Sequence, residues 1–139
     1  MSNGQQSLEE QFSNLNNTAD ITNQFDPQDI SQNKVMAVLA YFGILVLIPI
    51  FAAKESKFAR FHSNQGLILL ILGIALSIIS SFLSTILFSI SYKLMWIMGI
   101  ISFAIWVIIA VFFILGVINA AKGRAKELPL IGHFKLLKV

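Results

Sequence analysis

Three apolar runs set the plan of this chain. Val35 to Ala53, Leu67 to about Ser91 and Leu94 to Ala121 contain no Asp, Glu, Lys, Arg or His, whereas the segments around them are polar. A hydrocarbon layer about 30 Å thick needs roughly 20 apolar residues at about 1.5 Å of rise each, so every run meets or approaches the length of a spanning helix. The last two runs as one helix of about 55 residues would reach roughly 80 Å, so the chain must reverse between them. Lys93, with Ser89, Ser91 and Tyr92 beside it, places that reversal at Ser91 to Lys93, because a lysine at mid-membrane costs about 2.5 to 3.5 kcal/mol. The pattern predicts an all-α integral membrane bundle of three transmembrane helices, over about 35–53, 67–91 and 94–121. These lie in one membrane domain of residues 29–139, with a basic loop at 54–66 and a basic tail at 122–139. Residues 1–28 form a polar, acidic tail.

The tail to Asn33 is rich in Asn, Gln, Ser and Asp and poor in large apolar groups, which predicts disorder. Two local signals qualify this. Ser7 and Glu10 make a capping-box pattern ahead of Leu8, Phe12 and Leu15, and Asp26 before Pro27 marks a helix start. In the first run, Pro49 removes one backbone hydrogen bond and predicts a kink. In the second, Gly73, Ser77, Ser81, Thr85 and Ser89 recur every four residues, with Ser80 and Ser84 alongside, which predicts a small, lightly polar face for helix–helix packing. Asn119, Lys122 and Gly123 suit the capped end of the third helix.

Charge gives these helices a direction. Before the first run stand five carboxylates and Lys34 alone, and after it come Lys54, Lys57 and Arg60 against Glu55. The C-terminal tail adds Lys122, Arg124, Lys126, Lys135 and Lys138 against Glu127. Retention of Lys and Arg in the cytoplasm then predicts a multi-pass plasma-membrane protein with its N-terminus outside and its C-terminus cytoplasmic. The 139 residues leave no room for a soluble domain with its own core, and the absence of cysteine excludes disulfides and thiolate metal sites. No cleavable signal peptide is expected, because the first apolar run follows an acidic tail and is long enough to span.

Candidate chemistry concentrates in residues 54–66, where cations alternate with Phe58, Phe61, His62 and Gln65. Arg60, His62 and Gln65 are the candidate functional residues of this loop, and His62 and Gln65 share helical spacing. Lys54, Lys57, Lys122, Arg124, Lys126, Lys135 and Lys138 are expected to meet anionic lipid headgroups or an acidic partner, each contributing about 1 kcal/mol near the surface. No cofactor, metal or nucleic-acid partner is expected, since His62 and His133 alone make no metal site. Paired carboxylates, a phosphate-binding glycine loop and a nucleophile with its base are all missing, which predicts no enzymatic activity. The lack of intramembrane charge disfavours an ion-coupled transporter.

Residues 33–43, Ile48 with Pro49, residues 56–66, and Gly116 to Gly123 followed by Glu127 to Gly132 resemble a family of small bacterial membrane proteins related to the twenty-kilodalton subunit of the chloroplast inner-envelope translocon, Tic. The likeness covers about residues 29–138, and Arg60, His62 and Gln65 are its most specific part. In that family some relatives carry a cysteine-based zinc ribbon before the first helix, which this cysteine-free chain lacks. The resemblance implies a membrane fold and a translocation-related or channel-accessory role, with the loop contacting a polypeptide. The residues by themselves also fit a membrane adaptor or regulator that forms a homo-oligomer or packs on a larger membrane partner and binds anionic lipid.

Overall fold

Two long helices, α4 (Lys57–Ile90) and α5 (Met95–Ala121), form an antiparallel hairpin in the computed structural model, which describes residues 3–139. The chain reverses through a 3-10 turn at Tyr92–Leu94, where the Ser91 hydroxyl accepts from the Lys93 amide at 3.3 Å. The 34 residues of α4 extend about 51 Å, and both helices are long and apolar enough to cross a membrane. Their outer halves point large side chains away from the protein, among them Ile79, Phe82, Ile86, Phe88, Ile100 and Phe103. So continuous an exposed apolar surface suits a hydrocarbon surrounding.

The first apolar run does not cross alongside them. It divides into α2 (Pro27–Leu39), a 3-10 turn (Gly43–Val46) and the short helix α3 (Leu47–Ala52). Gly43 sits at φ +59°, a left-handed conformation open to glycine, and turns the chain back. Pro49 lies in the first turn of α3, where its missing donor has no intrahelical partner to lose, so it helps start a helix instead of kinking one. The proof of return is a contact: the Asp29 carboxylate accepts from the Phe58 amide at 3.0 Å, so the segment leaves and rejoins the same end of the hairpin. Two helices, where three spans were expected, are thus long and apolar enough to cross, and α2–α3 folds back against their base.

The N-terminal tail is also ordered, in contrast to the disorder expected over 1–28, of which residues 1 and 2 lie outside the described range. Helix α1 (Asn3–Leu15) leads to a strap whose Ile21 amide donates to the Ala125 carbonyl at 3.0 Å, while the Glu127 amide donates to the Ala19 carbonyl at 3.0 Å. Phe25 is buried edge-on against the rings of Phe58 and Phe61. The N-terminal strap and the C-terminal tail thus share one end of the molecule, whereas the expected topology places them on opposite sides of a membrane.

The core sits at that end, where Ala37, Ala40, Tyr41, Phe58, Phe61, Leu69 and Leu115 pack together. Gly66 lets α2 touch α4, for a Cβ there would stand 1.8 Å from the Ala40 carbonyl oxygen. Gly116 similarly accepts the ring of Tyr41. Gly66→Ala should lower stability in detergent by at least about 2 kcal/mol through overpacking against backbone, whereas Gly73→Ala, with open space around it, should be neutral or gain up to about 1 kcal/mol of helix propensity. Thermal unfolding of the two variants measures the contrast, and equal stabilities would contradict this packing.

Candidate functional site: a buried polar lock at the base of the hairpin

Residues 57–66 belong to the first turns of α4 and are not a loop. The Ser56 hydroxyl accepts from the Ala59 amide at 2.9 Å and Asp29 takes the Phe58 amide, so two of the orphan donors at this helix start are satisfied. The following turns carry His62, Ser63, Asn64 and Gln65, all buried. Polar side chains buried at a helix start need partners, and His62, Asn64 and Gln65 find them in the C-terminal tail, while the Ser63 hydroxyl is buried without one.

Gln65 donates from Nε2 to the Gly132 carbonyl at 3.1 Å and accepts at Oε1 from the Leu128 amide at 2.9 Å. Asn64 donates to the Phe134 carbonyl at 2.7 Å and accepts from the amides of Leu136 and Leu137 at 2.6 and 2.9 Å. His62 bridges two segments, with Nε2 3.0 Å from the Arg124 carbonyl and Nδ1 2.8 Å from the Tyr41 hydroxyl. A carbonyl only accepts, so Nε2 carries the proton and Nδ1 receives the Tyr41 hydroxyl hydrogen. Arg60 adds a bond from Nε to the Lys138 carbonyl at 2.7 Å. The three candidate residues Arg60, His62 and Gln65 are thus brought together on one tail, where each holds backbone, and His62 also binds the Tyr41 hydroxyl.

A Schellman turn delivers that tail. Gly123 has φ +70°, its amide donates to the Ala120 carbonyl at 3.0 Å, and the Arg124 amide donates to the Asn119 carbonyl at 2.8 Å. Asn119 itself is buried and exchanges reciprocal 2.9 Å amide bonds with Asn16. Asn16, Asn64 and Tyr41 were not singled out from the sequence, since their partners lie 21 to 103 positions away. Nearby, the hydroxyl and amide of Thr22 and then the cations Lys126 and Arg124 hold the exposed Asp20 carboxyl below its usual range.

The cations fall into separate groups. Lys122, Arg124 and Lys126 line a concavity beside α1, together with Glu9. Lys54 and Lys57 border another with Asp26, Asp29 and Glu55. Lys135 pairs with Glu127 at 2.9 Å and lies 5.6 Å from the Phe61 ring centre, and Lys138 is fixed through its carbonyl. Among the described residues, no three His, Cys, Asp or Glu side chains gather as a metal site. His133 stacks on Phe134, away from the fully engaged His62.

The small-residue ladder lies elsewhere, along the membrane part of α4. The hydroxyls of Ser77, Ser81, Thr85 and Ser89 each donate to the carbonyl four residues earlier, at 2.8 to 3.0 Å, beginning at Gly73. The four hydroxyl-bearing residues are exposed, while Leu76, Ser80, Ser84 and Leu87 on the adjoining face are half-buried. The ladder expected to pack helices therefore leaves its hydroxyls on their own backbone and its face open within one chain.

Comparison with known proteins gives this geometry a family context. The family model described as "Magnetosome magnetite crystal formation protein family", MamF/MmsF, matches residues 32–135, from α2 through the locked tail. The chain is 29% identical over 103 residues to the magnetosome protein MmsF of Paramagnetospirillum magneticum, covering 73% of this chain and 83% of that protein. It is 28% identical over 105 residues to the magnetosome protein MamF of the same organism, covering 74% and 82%. No solved structure matches. These matches overturn the resemblance to the translocon-related family, because the same residues fit a magnetosome family instead.

Paired removal of the lock, Asn64→Ala with Gln65→Ala, leaves the buried Leu128 amide and its neighbours without partners at about 1 to 3 kcal/mol each. The tail beyond Glu127 should then open to trypsin at Lys135 and Lys138 while the α4–α5 hairpin stays membrane-bound. A tail as resistant as in the unmodified protein would contradict the lock.

Proposed function

We propose, for a chain that belongs to the magnetosome magnetite crystal formation protein family, a non-catalytic role in a magnetosome-type membrane, where it organises lipid and membrane partners around crystal formation. One observation carries this reading: the distribution of charge along the folded hairpin. Of the ten lysines and arginines only Lys93 lies at the far turn, and all seven carboxylates lie at the end that holds both termini. Retention of Lys and Arg on the cytoplasmic side then points to two spans with the locked end in the cytoplasm. The turn at Ser91–Lys93 is what faces the other compartment, and it offers no carboxylate to iron or mineral.

The adaptor reading fits this arrangement. The open face of Gly73, Ser77, Ser81, Thr85 and Ser89 supplies a close-approach surface for a second copy or a larger membrane protein. The concavity of Lys122, Arg124 and Lys126 supplies contact with anionic headgroups. Influence on a crystal then passes through the membrane and its proteins.

Two measurements check this. In crystal-bearing membranes isolated with their cytoplasmic face outward, an impermeant maleimide should label Ser13→Cys and Lys138→Cys but not Lys93→Cys until the membranes are opened, and the reverse pattern would refute the orientation. In a magnetite-forming bacterium deprived of its own relatives, the chain should co-purify with crystal-bearing membranes and restore crystal size, and Lys93→Ala should do so equally. Exclusion from those membranes would sink the family role, and failure of Lys93→Ala alone would sink the claim that the far turn does not act on the mineral.

A further inference from the structure

The two ends of the hairpin differ in width. Near the termini α4 and α5 are flanked by α2 and α3, whose tip reaches Gly66 of α4 through Ala40 and Phe113 of α5 through Phe42, rings 5.0 Å apart. Beyond that level only α4 and α5 continue. The re-entrant element turns large apolar side chains outward, with Val35 71%, Ile44 67% and Phe51 66% exposed. Helix α1 and the tail add Leu8, Leu15, Leu130 and Phe134 at the same end. With α4 and α5 crossing a bilayer, the lipid that would cover Val35, Ile44 and Phe51 belongs to the leaflet on the terminal side.

We propose that this chain is a rigid wedge whose partner is a curved lipid surface, with the leaflet on its terminal side as the convex, expanded one. Two additional helical segments, each about 10 Å across, add roughly 150 Å² to the cross-section of that leaflet. Between α4 and α5 a groove of about 780 Å³ opens from the level of Tyr41 and Gly66 outward, lined chiefly by apolar side chains, with Gly73, Ser77, Ser80 and Ser102 among them. Shape acts on a membrane only when it is held. The Tyr41–His62 bond, the Asp29–Phe58 bond and the Gly66 crossing fasten the re-entrant element to the hairpin, and interfacial insertion of this kind is sensitive to curvature. The inference uses shape alone and stands or falls apart from any role in crystal formation.

Membrane tubes pulled from giant vesicles test it with the full chain, labelled at an exposed residue and reconstituted in either orientation. With the terminal end outward, protein density in the tube should exceed that in the vesicle body by roughly twofold, and with that end inward the tube should be depleted. Equal density in both orientations, or enrichment in both, would overturn the wedge. Two sets of exposed substitutions, V35N/I44N/F51N on the re-entrant element and S81F/T85F/S89F on the far half, should each bring the ratio toward one. Unchanged sorting in folded variants of both sets would overturn it equally.

Discussion

Backbone that leaves a membrane helix must find hydrogen-bond partners before it can be covered by apolar groups, and the rest of this structure depends on how that need is met. From Arg124 to Lys138 the chain has no regular secondary structure of its own to pair its carbonyls and amides. The side chains of Arg60, His62, Asn64 and Gln65, displayed on the first turns of α4, supply partners for many of them. Each such bond is worth only about 1 kcal/mol net, but losing one strands a buried group, so the set behaves as a unit.

The other features of the terminal end follow from that unit. Holding the tail under α4 brings Ala125 and Glu127 to the N-terminal strap and fixes both ends of the chain on one side. His62 reaches Tyr41 as well as Arg124, so the same helix turn that grips the tail also grips the re-entrant element. Gly66 and Gly116 make room for that grip, and Phe25, Phe58 and Phe61 seal it from below. A molecule broad at one end and narrow at the other results.

The all-helical class and the two long membrane helices were legible because lipid contact demands long apolar runs, and nothing else in a chain this small would tolerate them. The fate of residues 35–53 was not legible from hydropathy, since a re-entrant element touching lipid is as apolar as a span. Gly43 carried the one local hint, and its positive φ is a property of the fold. Arg60, His62, Asn64 and Gln65 read as a surface loop because polarity normally marks exposure, yet their partners lie more than sixty residues downstream. The N-terminal tail read as disordered for the same reason: Asn16 is stabilised by Asn119, 103 positions away, and no local composition reveals such a partner.

The central claim is that the two ends of the chain are fastened together on one side of the membrane. Asp20 and Lys126 face each other as an isolated antiparallel bridge pair, close enough in backbone for a disulfide, and the chain has no cysteine to interfere. Oxidation of the D20C/K126C double variant in native membranes should give a nearly complete intramolecular disulfide. Absence of that bridge, with the two cysteines labelled from opposite sides of the membrane, would contradict the account.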